Sequence, residues 1–154
     1  MDVVNVGDKA AGFVLKDHKE VDQDLAGYQG KKVLLSFHPL AWTGLCAKQM
    51  QALEAHTEEF RELNTVPFGL SVDSVPCKTA WAKDLEIEQT SLLSDFWPHG
   101  GVAESYGVFR EKNGTARRAI IVIDEKGYVI YVKTYPTTEL PDLEDALEFI
   151  RNNS

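Results

Sequence analysis

The apolar residues of this chain fall in short runs and short periodic stretches. Val33-Leu34-Leu35-Ser36-Phe37 is a near-continuous apolar run bounded by Lys31-Lys32 and Pro39, the pattern of a strand buried on both faces. Behind it, Cys46, Met50, Leu53, Thr57 and Phe60 recur at intervals of three and four, which predicts one helix from near Cys46 to about Leu63. Residues 66–72 read as a second buried strand. Pro76 suits the first position of the next helix, which carries Ala80, Trp81 and Leu85 on its apolar side. Ser91-Leu92-Leu93-Ser94 is a short strand, and Ala103, Tyr106 and Val108 predict a brief helix stopped at Gly107. Residues 119–123 and 128–132, joined by Asp124-Glu125-Lys126-Gly127, form the clearest hairpin. A last helix from about Leu140 to Asn152 sets Leu143, Leu147 and Ile150 on one face. Near the start, residues 13–15 pair back on residues 21–25 as a small hairpin.

This order predicts an α/β fold: a central mixed β-sheet flanked by helices, with an N-terminal hairpin extension, in one domain over residues 1–154. In such sheets the functional crevice lies beyond the carboxyl ends of the parallel strands. The loop between Phe37 and Cys46 falls there.

Composition narrows the function. The formal charge of −8 argues against a nucleic-acid binder, which needs a basic face. No apolar stretch reaches the length of a membrane span. Met1-Asp2-Val3-Val4-Asn5 lacks the basic start and apolar segment of a signal peptide, so the expected location is the cytoplasm. Two cysteines, Cys46 and Cys77, do not make a disulfide framework there; they read as redox or packing residues. The four histidines have no ligand spacing with cysteine or carboxylate, so neither a metal nor any other cofactor is expected. Trp42, Trp81 and Trp97 read as packing residues and pocket walls.

Cys46 carries the chemistry. It falls in the first turn of a helix that follows a buried strand, where free N–H groups and the positive end of the helix dipole favour a thiolate. A lone cysteine is more often a small buried hydrophobe. Three classes fit the residues alone: an enzyme with a nucleophilic thiolate, a thiol–disulfide oxidoreductase, or a partner-binding module with a structural cysteine. The second is disfavoured because Cys46-Ala47-Lys48-Gln49 lacks the second cysteine of a Cys-x-x-Cys pair.

The spacing Pro39-x-x-x-Thr43-x-x-Cys46 resembles the active-site signature of the peroxiredoxins, thiol peroxidases on a thioredoxin-like fold. The likeness covers nearly the whole chain. Val6-Gly7-Asp8-Lys9-Ala10 resembles the family's opening, with Ala11 where a proline is usual. Ser71-Val72-Asp73-Ser74 is similar to the segment after the second strand. Leu93-Ser94-Asp95-Phe96-Trp97-Pro98-His99-Gly100 resembles the alkyl hydroperoxide reductase E, one-cysteine subgroup.

The resemblance implies Cys46 as the peroxidatic cysteine. Thr43 then contacts thiolate and peroxide, and Pro39 shields the sulfur. Matching Arg-Ala before the apolar run selects Arg118, not Arg117, as the active-site arginine. Gln49 stands where many members carry glutamate, and keeps an acceptor for the arginine without the charge; His38 stands where many have tyrosine. The implied partners are a hydroperoxide substrate, a thioredoxin-like or low-molecular-weight thiol reductant, and a second copy in a homodimer. Cys77, at the start of the next helix, is the alternative resolving cysteine, again near a helix N-terminus that favours a thiolate.

Overall fold

In the computed structural model, which describes residues 2–153, the chain runs β1 (Val14–Lys16), β2 (Asp22–Asp24), a 3-10 turn (Leu25–Tyr28), β3 (Lys32–Phe37), α1 (Gly44–Ala55), α2 (Thr57–Glu62) and β4 (Thr65–Ser71). It continues with α3 (Val75–Leu85), β5 (Ser91–Ser94), α4 (Gly101–Ser105), β6 (Phe109–Arg110), β7 (Thr115–Ala116), β8 (Arg118–Ile123), β9 (Val129–Tyr135) and α5 (Leu143–Asn152). The main sheet has the order β5-β4-β3-β8-β9. β3 pairs in parallel with β4 and antiparallel with β8 and is the central strand; like β8, it is buried at all six positions. Short runs of Val, Leu, Ile and Phe suit it because both faces are covered.

Alternation along these strands divides the core into two layers. Val33, Leu35 and Phe37 join Phe68, Leu70, Ile121 and Tyr106 on one face. Leu34, Ile120 and Val122 face the other layer, with Met50 and Leu53 of α1, Phe60 of α2, Trp81 of α3 and Leu147 of α5. At Gly69 of β4 an added Cβ would meet Sδ of Met50 at 2.2 Å. The absent side chain is what lets α1 settle on the sheet. This is the mixed-sheet α/β architecture expected, and the small hairpin forms as predicted, with Leu15 opposite Gln23.

Several boundaries differ from expectation, each for a local reason. The predicted helix over 46–63 breaks at His56. Its ring Nδ1 lies 2.8 Å from the Ala52 carbonyl oxygen, and Thr57 Oγ1 donates to Glu54 O at 3.1 Å. Side chains thus compete for carbonyls that a continuous helix would use. Pro76 is the second residue of α3, because Ser74 caps the helix by accepting from Cys77 N. The last helix begins at Leu143, where Asp142 accepts from Asp145 N. β6 and β7, two residues each, are too short to leave a periodic signal.

Candidate active site

β3 ends at Phe37, and the next six residues carry the chain into α1, so the loop sits at the carboxyl ends of β3 and β4. His38 still follows the strand, its N–H donating to Leu70 O at 3.0 Å. Asp73, in the loop after β4, ties the turn down from the other side. Its Oδ2 accepts from Ala41 N at 2.8 Å and from Ser71 Oγ at 2.6 Å. Trp42 takes a left-handed conformation at φ 67, uncommon for a bulky residue, and Thr43 in extended geometry opens the helix. Cys46 is then the third residue of α1 and has no exposed surface.

The antiparallel register between β3 and β8 brings in the arginine. Phe37 pairs with Ala119, which sets Arg118 beside the end of β3. Arg118 is 3% exposed. Its Nη1 donates to Cys46 Sγ at 3.4 Å and to Gln49 Oε1 at 2.8 Å, and its Nη2 donates to Thr137 O at 3.0 Å. Its Nε is a buried donor with no hydrogen-bond partner among the described residues. Gln49, one turn along α1, turns its amide nitrogen to Ser36 Oγ at 2.6 Å and Phe37 O at 3.0 Å. One side chain therefore joins helix, central strand and arginine. A guanidinium N–H aimed at a sulfur near a helix N-terminus is the polarity that an anionic sulfur needs.

The structure thus brings Cys46, Arg118 and Gln49 together. Thr43 adjoins them as the cap residue of α1, but its hydroxyl donates to Leu40 O at 2.8 Å. Pro39 is half-buried in the connecting loop, and Arg117, the neighbour of Arg118, is also only half-buried. Cys77 is half-buried at the start of α3, with Sγ 3.7 Å from Asp73 Oδ1. The thiolate expected there from the helix start is opposed. Burial and the Asp73 charge push the Cys77 thiol up, against a smaller downward pull from the Trp42 side chain.

Two expectations about aromatic and polar groups change. Trp81 packs in the core, whereas Trp42 and Trp97 are 54% and 80% exposed, the latter on the loop after β5. Among the described residues, His56, Glu59 and Glu144 bring ligand atoms within 4.8 Å of one another. Arg151 bonds both carboxylates, at 2.8 and 2.6 Å, so this is an ion-paired cluster. Sequence reasoning missed Asp73 as the clamp on the loop. It also missed Lys78, which is wholly buried with Nζ 3.1 Å from His38 Nε2. A lysine three residues before a core tryptophan carries no signal of burial.

A buried cysteine at the start of a helix, with an arginine N–H on its sulfur, on a five-stranded mixed sheet, defines the thiol peroxidases of thioredoxin-like fold. The AhpC/TSA family pattern matches residues 6–132, and the chain belongs to that family, the peroxiredoxins. It is 38% identical over 141 residues to alkyl hydroperoxide reductase E of Mycobacterium tuberculosis, covering 91% of this chain and 92% of that protein. It is 35% identical over 126 residues to peroxiredoxin-1 of Gallus gallus, covering 78% of this chain and 62% of that protein. The crystal structure of peroxidoxin BcpB from Mycobacterium tuberculosis superposes with a TM-score of 0.86 at 27% identity, over 98% of this chain and 99% of that one.

Proposed function

We propose that this thiol-dependent peroxidase reduces hydrogen peroxide and organic hydroperoxides through a sulfenic acid on Cys46. The observation that carries the reading is the Arg118 guanidinium N–H 3.4 Å from the Cys46 sulfur, in a site where both side chains are buried. The thiolate's electron pair forms an S–O bond to the terminal peroxide oxygen as the O–O bond breaks. Sulfur is oxidised to sulfenic acid, the peroxide is reduced, and the leaving hydroxide or alkoxide takes up a proton. Negative charge moves from sulfur to the leaving oxygen during this step. Arg118, whose Nε has no partner among the described residues, and the free N–H groups of the first turn of α1 are donors for that charge. Each such donor is worth about 3 kcal/mol in the transition state, by analogy with oxyanion holes.

Thr43 orients the peroxide hydroxyl from the helix cap, and Pro39 keeps water from the sulfur. Gln49 positions Arg118. Because Cys46 has no exposed surface, peroxide enters during local opening of the site. Organic hydroperoxides are included because the relative from Mycobacterium tuberculosis bears the name alkyl hydroperoxide reductase E. An external thiol, thioredoxin-like or of low molecular weight, returns the sulfenic acid to thiol through a mixed disulfide. The enzyme works in the cytoplasm as a homodimer, for which Phe96 and Trp97, 53% and 80% exposed, supply apolar surface. No helix among the described residues is long and apolar enough to cross a membrane.

Peroxide consumption by wild type and by Cys46→Ser tests the reading. Wild type with an external thiol turns over, and Cys46→Ser does not. Equal consumption by both proteins would overturn it.

A further inference from the structure

Lys78 lies on α3 with none of its surface exposed, and among the described residues it forms no ion pair. Lysine is almost never fully buried without a partner of opposite charge. Its ammonium instead meets a ring. Nζ stands 3.1 Å from His38 Nε2 and 5.9 Å from the centre of the Trp81 ring. His38 has no exposed surface either, and its Nδ1 lies 3.4 Å from Ser36 O. These partners set the tautomer: Nδ1 carries the proton toward the carbonyl, and Nε2 accepts from Lys78.

From Ser36 the contacts run on to the reactive sulfur. Ser36 Oγ accepts from Gln49 Nε2 at 2.6 Å, Gln49 Oε1 accepts from Arg118 Nη1 at 2.8 Å, and the same Nη1 reaches Cys46 Sγ at 3.4 Å. Six charged or titratable groups face Lys78, five of them on other segments. Asp73 and Asp95, from the segments after β4 and β5, favour its ammonium, as do the sulfurs of Cys46 on α1 and Cys77 beside it. His18, in the turn after β1, shares a weaker charge interaction with it. His38, which also feels Arg118 from β8, is its direct contact. Burial outweighs the anions and brings the lysine down to about 7, so its charge is balanced near neutrality.

This rests on Cys46 being the thiol that peroxide oxidises. When the sulfur becomes sulfenic acid, its negative charge disappears, and the leaving oxygen needs one proton at the same moment. We propose that Lys78, held against His38, is an internal proton store for the peroxidase site, protonated while the Cys46 sulfur is anionic and deprotonated once that sulfur is oxidised. The S–O bond and the broken O–O bond account for the electrons. The proton lost from Lys78 balances the proton gained by the hydroxide or alkoxide.

The store requires that Lys78 and Cys46 feel each other, and such coupling is reciprocal. The titration of Lys78, followed by NMR of [13Cε]lysine-labelled protein, has a lower midpoint in Cys46→Ser, which lacks the anion, than in reduced wild type. The expected drop is roughly half a pH unit or more. In a Cys77→Ser background, Lys78→Met moves the pH profile of Cys46 alkylation by iodoacetamide upward by the same amount. A midpoint for Lys78 that is the same in wild type and Cys46→Ser overturns the inference, whether or not Lys78→Met folds. Failure of wild type to consume peroxide would instead overturn the proposed function, and the two failures are separately visible.

Discussion

Nη1 of Arg118 stands 3.4 Å from Sγ of Cys46, although 72 positions separate the two residues in the chain. The antiparallel pairing of β3 with β8 creates this meeting, because Phe37 opposite Ala119 sets Arg118 at the open end of the central strand. Gln49 then fixes the guanidinium by accepting its N–H at 2.8 Å while donating to Ser36 and Phe37. Protein groups alone hold the arginine in place, the kind of preorganised donor on which electrostatic catalysis relies.

Arg118→Ala therefore slows the second-order reaction of Cys46 with hydrogen peroxide by at least about tenfold, the loss of a preorganised donor. Arg117→Ala, at a half-buried neighbour, changes it less than about twofold. Stopped-flow oxidation of the two variants compares them directly. Equal losses, or the reverse order, would show that the donor lies elsewhere.

The mixed-sheet α/β plan and the place of Cys46 at a helix start were legible in the sequence because each leaves a strong local pattern, whereas Arg118 was singled out only through the family resemblance and the strand order was not predicted. Buried strands appear as apolar runs, and Pro39, Thr43 and Cys46 keep a fixed spacing. The supporting groups left no such mark. Asp73 clamps Ala41 across 32 positions, and Lys78 meets His38 across 40, so both roles depend on which helix ends the fold places together. Lys78 resembles any solvated helix lysine, and only the third dimension buries it. The break at His56 was hidden for another reason. Apolar periodicity continues through it, and only hydrogen bonds from His56 and Thr57 interrupt the backbone ladder. Cys77 illustrates a conflict between local and tertiary effects, since its helix start favours a thiolate but burial and Asp73 oppose it.

Gly69 should resist substitution although it lies in a strand. An added methyl would meet Met50 Sδ at 2.2 Å and Leu92 Cδ2 at 3.1 Å, and both side chains are fully buried. Gly69→Ala accordingly lowers unfolding free energy by about 1–3 kcal/mol, the usual cost of overpacking. Shortening the opposing side chain in Gly69→Ala/Met50→Val recovers part of that loss. Urea denaturation of the cycle measures the coupling, and strict additivity would contradict the contact.

Stability should fall on the acid side because burial disfavours the charged forms of both Lys78 and His38. Lys78 titrates at about 7 in the folded protein against 10.5 for an ordinary lysine, and His38 lies well below 6.5. Between these paired values the unfolded chain binds more protons, so stability rises with pH through about 7 to 10.5 for the lysine. For the histidine it is lost as pH falls below 6.5. Lys78→Met removes the first contribution. Relative to wild type, the variant is most favoured below about pH 7, and that advantage shrinks by about 1 kcal/mol or more by pH 10. Parallel urea titrations at pH 6, 8 and 10 measure it, and a constant difference across the range would refute the buried ammonium as the source.

The route back from sulfenic acid turns on Cys77. A resolving thiol attacks as the thiolate, and Cys77 has its ionisation opposed by burial and by Asp73, whose Oδ1 lies 3.7 Å from its sulfur. Its sulfur is thereby engaged with a carboxylate that holds the loop, since Asp73 also binds Ala41 and Ser71. Cys46 is in turn buried and tied to Arg118. An internal disulfide would have to disrupt both arrangements, whereas an external thiol needs access to Cys46 alone. Protein treated with one equivalent of peroxide should therefore yield a Cys46 sulfenic acid that dimedone traps. Turnover with an external thiol should survive Cys77→Ser within about twofold, as expected for a residue outside the reacting pair. A stoichiometric Cys46–Cys77 bond in peptide maps, together with loss of turnover in Cys77→Ser, would establish the two-cysteine route instead.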